Sequence, residues 1–411
     1  MDSALVSLLS SLPGHPQQHE EMRPAVIAIP ACNEEERISR CLAALAVQRD
    51  KRGQRIPFEA YQVLVYANNC TDATAARAAD IRNGTGVRID VVSVTCSEEL
   101  SSAGLARKAA MDIAAEQLET ADLHNGVILT TDADSIVSPS WLASSWQEFS
   151  QGADCIAGYI DADPHEFIEL GRSFQYRGFF EEHYHALVAE IFALLDPRPH
   201  DPWPNHQVSS GASLAVTLKM YRAIGGLPAK ATGEDAALAL AVECLGGKVR
   251  HSMDVCVTTS CRLDGRAVGG AADAMKQRHA EPDAPCDQEL ESVFAVTKKA
   301  WLKGHLRRSS NIGFMEESAI LAALGLGSEE IGRLLTTLRR SCFEVFWQEL
   351  SAASTFLRYG EPLRPSMLAA EISRAEILLT FLRSQPNPLE AIDLLMEDRV
   401  AFEARLQRVQ E

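Results

Sequence analysis

From residue 24 to about residue 131 the chain alternates short apolar runs with stretches of helical spacing. Ala25-Val26-Ile27-Ala28-Ile29 predicts a strand, and residues 34–47 carry Ile38, Leu42 and Leu45 on one helical face. Residues 61–66 predict a strand, 71–81 an alanine-rich helix, 87–95 a strand, 103–118 a helix and 126–131 a strand. This βαβαβαβ order demands a largely parallel sheet with helices on both faces. Ligands of such sheets bind beyond the carboxyl ends of the strands. After Trp141 the rhythm loosens: 153–160 and 213–216 read as strands around a segment rich in aromatics, histidine and proline, then 233–244 as a helix and 255–259 as a strand. Gly269-Gly270-Ala271-Ala272 and a polar stretch through Pro282 and Pro285 follow. From about Glu289 the pattern is helical to the end, in amphipathic segments such as Ile320-Leu321-Ala322-Ala323-Leu324 and Ile377-Leu378-Leu379-Thr380-Phe381-Leu382. The expected divisions are a polar tail at 1–22, an α/β domain at 23–280 and a helical region at 281–411.

Composition narrows the class. The 411 residues are 46% hydrophobic and 23% charged, which suits a soluble globular protein of one large or two modest domains. A formal net charge of -17 argues against nucleic acid as a partner and against unaided docking on an anionic membrane. No apolar run reaches the roughly 18 residues of a transmembrane segment. The opening Met1-Asp2-Ser3-Ala4-Leu5 lacks the basic start of a secretion signal. The ten cysteines include no C-x-x-C pair, and Cys41, Cys155 and Cys244 fall inside apolar runs. They read as reduced small hydrophobes, which points to a cytoplasmic location.

Candidate chemistry gathers at strand ends. Thr130-Thr131-Asp132-Ala133-Asp134-Ser135 closes the fourth strand, and two carboxylates two residues apart there call for something positive, such as a divalent cation carrying a diphosphate. The first strand runs into Pro30-Ala31-Cys32-Asn33-Glu34-Glu35 and the second into Asn68-Asn69-Cys70-Thr71-Asp72. Each alone reads as a turn and helix cap, but both fall on the same edge of a parallel sheet, where their amides and carboxylates can read a nucleobase. Gly104-Leu105-Ala106-Arg107-Lys108 opens a helix with two bases, as suits a phosphate or nucleoside. Glu234 and Asp235 open another helix after Gly233, either as charges favourable to the helix dipole or as a general base. Ser209-Ser210-Gly211 supplies small residues for close approach, and Arg262 and Arg266 follow the last strand, where they can clamp a diphosphate.

Taken in order, Pro30-Ala31-Cys32-Asn33-Glu34-Glu35, Asn68-Asn69-Cys70-Thr71-Asp72, Asp132-Ala133-Asp134 and Gly233-Glu234-Asp235 resemble the motifs of family 2 glycosyltransferases with the GT-A fold, over roughly residues 23–270. The resemblance implies a Rossmann-like, mostly parallel sheet flanked by helices, with the C-terminal helical region outside it. It implies Pro30, Cys32, Glu34 and Asn68 near the base of a nucleotide, with Arg107 beside it. It places Asp132 and Asp134 at ribose and metal (Mn2+ or Mg2+), and Asp235 as the base of an inverting reaction. The donor is then a nucleotide-diphosphate sugar, a UDP-sugar favoured, and the acceptor a small molecule, glycan or lipid-linked hydroxyl. The chain departs from the family at Ala67 and Asn68, where aspartates are common, and at Cys32, which replaces a common tyrosine. The Q-x-x-R-W element is missing, as suits a non-processive enzyme.

Two other classes compete with this reading. A sugar-1-phosphate nucleotidyltransferase would want a glycine-rich basic loop near the N-terminus, whereas 30–36 is acidic and has no glycine. A catalytically silent nucleotide-binding scaffold has no need of Asp132, Asp134 and Asp235 together. Glu182-His183-Tyr184-His185, with Glu181, includes a Glu-x-x-His pattern but lacks the second copy of a di-iron bundle. The nearby Tyr176, Phe179, Phe180 and Trp203 read as core or as an acceptor platform, and His251 or His279 as structural or as a third metal ligand. The C-terminal helices need a partner surface: one another, the α/β domain, or a second copy in a homodimer.

Overall fold

The computed structural model describes residues 22–265, 270–309, 314–358, 360–392 and 399–410. The predicted tail, apart from Met22, and Arg266 lie outside these residues. The first half follows the expected alternation: β1 (Ala25–Ala31), α1 (Ile38–Leu45), β2 (Tyr61–Asn68), α2 (Thr74–Thr85), β3 (Ile89–Val94), α3 (Ala103–Thr120) and β4 (Val127–Thr130). Next come β5 (Ile136–Val137), α4 (Trp141–Ser150), β6 (Cys155–Ala162), α5 (Pro164–Glu169), α6 (Arg172–Leu195), β7 (Leu214–Thr217), α7 (Leu218–Ala223), α8 (Glu234–Cys244), β8 (Val249–Thr259) and α9 (Ala271–Ala280).

The eight strands form one sheet in the order β3-β2-β1-β4-β7-β6-β8-β5. β3, β2, β1 and β4 are parallel neighbours; β7 runs antiparallel to β4 and β6, and β8 lies parallel to β6. The chain winds outward from β1 through β2 to β3, then returns to place β4 on the other side of β1. The edge between β1 and β4 is therefore a topological switch point, where loops leave in opposite directions and open a crevice. The ladder from β1 to β4 ends at Ala28, whereas the ladder to β2 continues to Ala31. Pro30 thus lies beyond the β4 ladder, and β1 outlasts the strand end predicted before it.

Alternation along β1 fixes two cores. Ile27 and Ile29 pack with Ile38, Leu42, Trp141 and Trp146 on one face, under α1 and α4. Val26 and Ala28 pack with Met111, Ala114, Leu118 and Leu238 on the other, under α3 and α8. A third core joins Tyr184, Leu187, Val188, Ile191 and Leu195 of α6 to the C-terminal helices. These are α10 (Val293–Ser309), α11 (Phe314–Ala323), α12 (Ser328–Arg340), α13 (Phe343–Ala353), α14 (Pro365–Ser384) and α15 (Arg399–Gln410). The C-terminal helices therefore pack on one another and on α6. Gly304 lets α10 approach closely, since a Cβ there would lie 1.9 Å from the Leu195 carbonyl oxygen. Arg307 pairs with Asp196 at 2.7 Å and Arg383 with Glu190 at 2.6 Å across the same seam.

Helix α6 was not predicted as an element. Its apolar positions at helical spacing are confined to its second half, and its first half presents exposed aromatics that hide the period. The Glu-x-x-His residues lie on this helix, with Tyr184 fully buried and its hydroxyl donating to the Glu291 carbonyl at 2.6 Å. No disulfide joins the ten cysteines, and no helix among the described residues is long and apolar enough to cross a membrane.

Candidate active site

The loops after β1 and β2 are stitched to each other at the switch-point edge. Glu35 N donates to Asp72 Oδ2 at 3.0 Å, and Ala73 N donates to Glu35 Oε2 at 2.9 Å, a reciprocal exchange. Thr71 N donates to Asn33 Oδ1 at 2.7 Å and Glu34 N to Thr74 Oγ1 at 2.7 Å. Asn33 and Asn69 adopt left-handed backbone with φ of 54° and 50°, which asparagine tolerates in turns. Burial acts to raise the Asp72 carboxyl, but the bonds from Thr74 and Glu35 outweigh it and hold its pKa below the ordinary value. The buried Asn68 is engaged inside the protein: its Nδ2 donates to the Ser101 carbonyl at 3.1 Å, and Cys96 Sγ donates to its Oδ1 at 3.1 Å. It fastens the 96–101 loop to the end of β2. Pro30 and the half-buried Cys32 lie where β1 passes into its loop.

Arg107, on the first turns of α3, is the centre of the site. Its side chain is 6% exposed. Nη2 donates to Asp132 Oδ1 at 2.7 Å, Nε to Glu234 Oε1 at 3.0 Å, and Nη1 to Thr130 Oγ1 at 3.0 Å and to the Gly211 carbonyl at 2.9 Å. One guanidinium thus joins the end of β4, the start of α8 and the loop before β7. Burial alone would lower its pKa; the Asp132 and Glu234 carboxylates overcome this and raise it, so it is always charged. Two glycines make room for the arrangement. A Cβ on Gly211 would lie 2.2 Å from Arg107 Cζ, and one on Gly104 would lie 2.3 Å from the Lys230 carbonyl oxygen.

Arg262 does the corresponding work on the β1 side. It forks onto Glu34 at 2.7 and 2.5 Å, and its Nη2 also lies 3.0 Å from Asp134 Oδ2. The loop that carries it is held by Glu166, which accepts from Ser260 Oγ at 2.7 Å and Cys261 N at 2.8 Å and pairs with Arg37 at 3.3 Å. Burial, reinforced by Asp132, pushes the Asp134 carboxyl up to about 6, even with Arg262 acting to lower it. Cys41 Sγ donates to the Asp132 carbonyl at 3.4 Å from beneath.

Asp235 begins α8 beside Glu234, after Gly233 in the left-handed conformation with φ of 71°. One carboxylate oxygen accepts from Gly211 N at 2.8 Å and the other from Ala236 N at 2.8 Å. The side chain is only part-buried, so it is held in one orientation yet reachable.

The structure therefore brings Glu34, Arg107, Asp132, Asp134, Asp235 and Arg262 to one edge. It also draws in Glu234, Gly211 and Thr130, which the sequence reading placed in neighbouring motifs without a contact to Arg107, and Glu166, which that reading did not name. His251 is turned elsewhere: Nδ1 lies 2.9 Å from the buried Asp201 and Nε2 lies 3.4 Å from Ser209 Oγ. His279 packs by Phe174. Among the described residues no group of three or more His, Cys, Asp or Glu could hold a metal alone. Asp132 and Asp134 remain as a pair of carboxylates, the number with which Mg2+ or Mn2+ binds when substrate phosphates complete its shell.

The comparisons with known proteins bear on the first half of the chain. Residues 26–195 match the family described as Glycosyl transferase family 2. This stretch of the chain carries a family 2 glycosyltransferase domain. No curated protein sequence matches it. Among solved structures, S. aureus TarS 1–349 in complex with UDP-GlcNAc is 16% identical with a TM-score of 0.42, covering 94% of this chain and 92% of that one. Mannosyltransferase PcManGT from Pyrobaculum calidifontis, in complex with GDP-Man and Mn2+, is 15% identical with a TM-score of 0.41, covering 81% and 87%.

Proposed function

We propose that this glycosyltransferase takes a sugar from a nucleoside-diphosphate sugar, a UDP-sugar favoured, and passes it to an acceptor hydroxyl with inversion at the anomeric carbon. The observation that carries the reading is the charge inventory of the switch-point edge. Glu34, Asp132, Asp134 and Glu234 share two guanidiniums, those of Arg107 and Arg262, Asp235 accepts from backbone amides alongside them, and the nearby Arg37 is paired with Glu166. A diphosphate alone meets an excess of negative charge there, whereas a diphosphate that arrives with a divalent cation is accommodated. Burial first and the neighbouring Asp132 second raise the Asp134 carboxyl, in spite of Arg262.

Asp132 and Asp134 would hold the Mn2+ or Mg2+, whose chemistry is to neutralise charge on the leaving diphosphate. Glu34, with Pro30 and Cys32, borders the nucleoside, and Arg262 sits where it can move from Glu34 and Asp134 to the phosphates. Arg107 is a positioning residue that fixes Asp132 relative to α8. Asp235, oriented by the Gly211 amide, takes the acceptor's hydroxyl proton. The acceptor oxygen bonds to the anomeric carbon as the bond from that carbon to the diphosphate oxygen breaks. The cysteine usage supports a cytoplasmic location. The test is a titration of UDP and of GDP with and without Mn2+, read by calorimetry. Binding of UDP that requires Mn2+ supports the reading, and the absence of any nucleotide binding refutes it.

A further inference from the structure

A cavity of about 780 Å³ lies between β6, α6, the 205–208 loop and the segment 287–299 of the helical region. That volume falls in the range of small-molecule sites, about 300–1,000 Å³. Its lining includes none of the residues at the switch-point edge, yet two stretches of chain connect it to that edge. The 205–208 loop runs straight into Ser209-Ser210-Gly211, which orients Asp235. Helix α5, whose Pro164 and Phe167 line the cavity, also carries Glu166, the anchor of the Arg262 loop.

The walls have a consistent chemistry. Phe179, Val208 and Met253 are 64%, 43% and 37% exposed, so apolar surface is left open to the cavity instead of being covered by the fold. Asn205 Oδ1 is buried without a donor. Among the described residues, no ion pair reaches Asp161, Glu182 or Glu289 on the cavity wall, although Glu182 Oε1 accepts from the Tyr159 hydroxyl at 2.5 Å and Asp161 Oδ1 from Ala162 N at 2.8 Å, whereas Glu181, Asp287 and Glu291 are matched by Arg177, Arg278 and Lys299. His206 is held neutral, its pKa pushed down to about 4 by burial and by His251, so it adds no positive charge. Open aromatic surface, an unmet acceptor and unmatched carboxylates together suit a ring-shaped ligand that carries hydroxyl groups and an amine.

We infer that this cavity is the acceptor site and that its occupant is an amine-bearing saccharide, with one wall supplied by the C-terminal helical region. The inference rests on the glycosyltransfer reading and gives it an acceptor class. The probes are three disaccharides: a glucosamine dimer with free amines, its N-acetylated counterpart, and a uronic-acid dimer, each titrated into the full chain by saturation-transfer NMR and calorimetry, with UDP and Mn2+ titrated separately. The expected order is glucosamine dimer tightest, the N-acetylated dimer weaker, and the uronic acid not bound. D161N with E182Q should weaken the glucosamine dimer about tenfold, and F179A should weaken both neutral and amine forms. All variants should keep the wild-type melting temperature and UDP affinity. Nucleotide binding without any saccharide binding overturns the inference and leaves the donor reading intact, and equal affinity for all three dimers overturns its charge argument. Saccharide binding without nucleotide binding overturns the donor reading instead.

Discussion

Arg107→Ala tests whether one guanidinium holds the site together. The substitution leaves Glu234, whose side chain is 7% exposed, facing a void with no counter-charge, and it frees Asp132, which is 35% exposed. Breaking a buried pair by removing one partner costs about 3–5 kcal/mol. Glu234 carries most of this cost, because Asp132 can turn to solvent. Against a total stability of about 5–15 kcal/mol the loss is large. It should lower the melting temperature on the order of 5 °C or more. A chain of this size need not unfold in two states, so the comparison is of melting temperatures under matched conditions. The decisive measurement is a double-mutant cycle. Glu234→Gln removes the stranded charge, so the double variant should recover part of what Arg107→Ala loses. UDP affinity measured with Mn2+ should fall in Arg107→Ala because Asp132 is no longer fixed. Additive losses in the cycle, or an Arg107→Ala protein that melts within about 1 °C of the parent, would refute the reasoning.

Asp134→Ala removes a largely buried carboxylate whose partner Arg262 keeps its fork onto Glu34, so the fold should persist while Mn2+-dependent UDP binding and transfer are lost; unchanged affinity sinks the metal assignment. Asp235→Asn keeps the hydrogen bond from Gly211 and should retain donor binding while transfer falls on the order of 10² or more; a collapse of donor affinity would make it a binding residue. Gly211→Ala drives a methyl into Arg107 and should reproduce the nucleotide-binding defect of Arg107→Ala, a correspondence checked by calorimetry. A chain ended at Pro285 bares Leu187, Val188, Ile191 and Leu195 of α6, so light scattering should show aggregation or a changed assembly; a fragment of unchanged state and full activity refutes that.

The first half of the fold was legible because β1, β2 and β4 are buried on both faces and therefore read as continuous apolar runs bounded by caps. β4, β7 and the helices on either side followed from the same signal. α6 was not, because its buried stripe is set by partners such as Glu291 and Arg383, 107 and 193 residues from Tyr184 and Glu190 in sequence, which no local window sees. The candidate site was legible as a set of strand-end motifs, since a parallel sheet sends every such loop to one edge. What the motifs could not reveal is who pairs with whom. Arg107 reads from the sequence as a free base for a ligand, and the structure shows its donors meeting Asp132, Glu234, Thr130 and Gly211. Asn68 reads as a nucleobase contact, and the structure shows its amide holding the 96–101 loop. Such partners come from elements 23 to 127 residues apart, and only the register of the sheet brings them together.

The two arginines answer the same electrostatic problem in different ways. Clustered carboxylates at a sheet edge repel one another, and the fold must neutralise them even with no ligand bound. Arg107 is enclosed, with its donors directed at fixed acceptors, so it belongs to the frame. Arg262 is 21% exposed at its side chain, and its guanidinium bonds to Glu34 and Asp134, two carboxylates that a cation could equally satisfy. It arrives on a loop after β8 that is tied by Glu166 instead of by the sheet ladder. Asp134 would hold a divalent cation in place of Arg262, and that guanidinium would then be free for an anion. The edge that repels a bare diphosphate would in this way receive one accompanied by its cation.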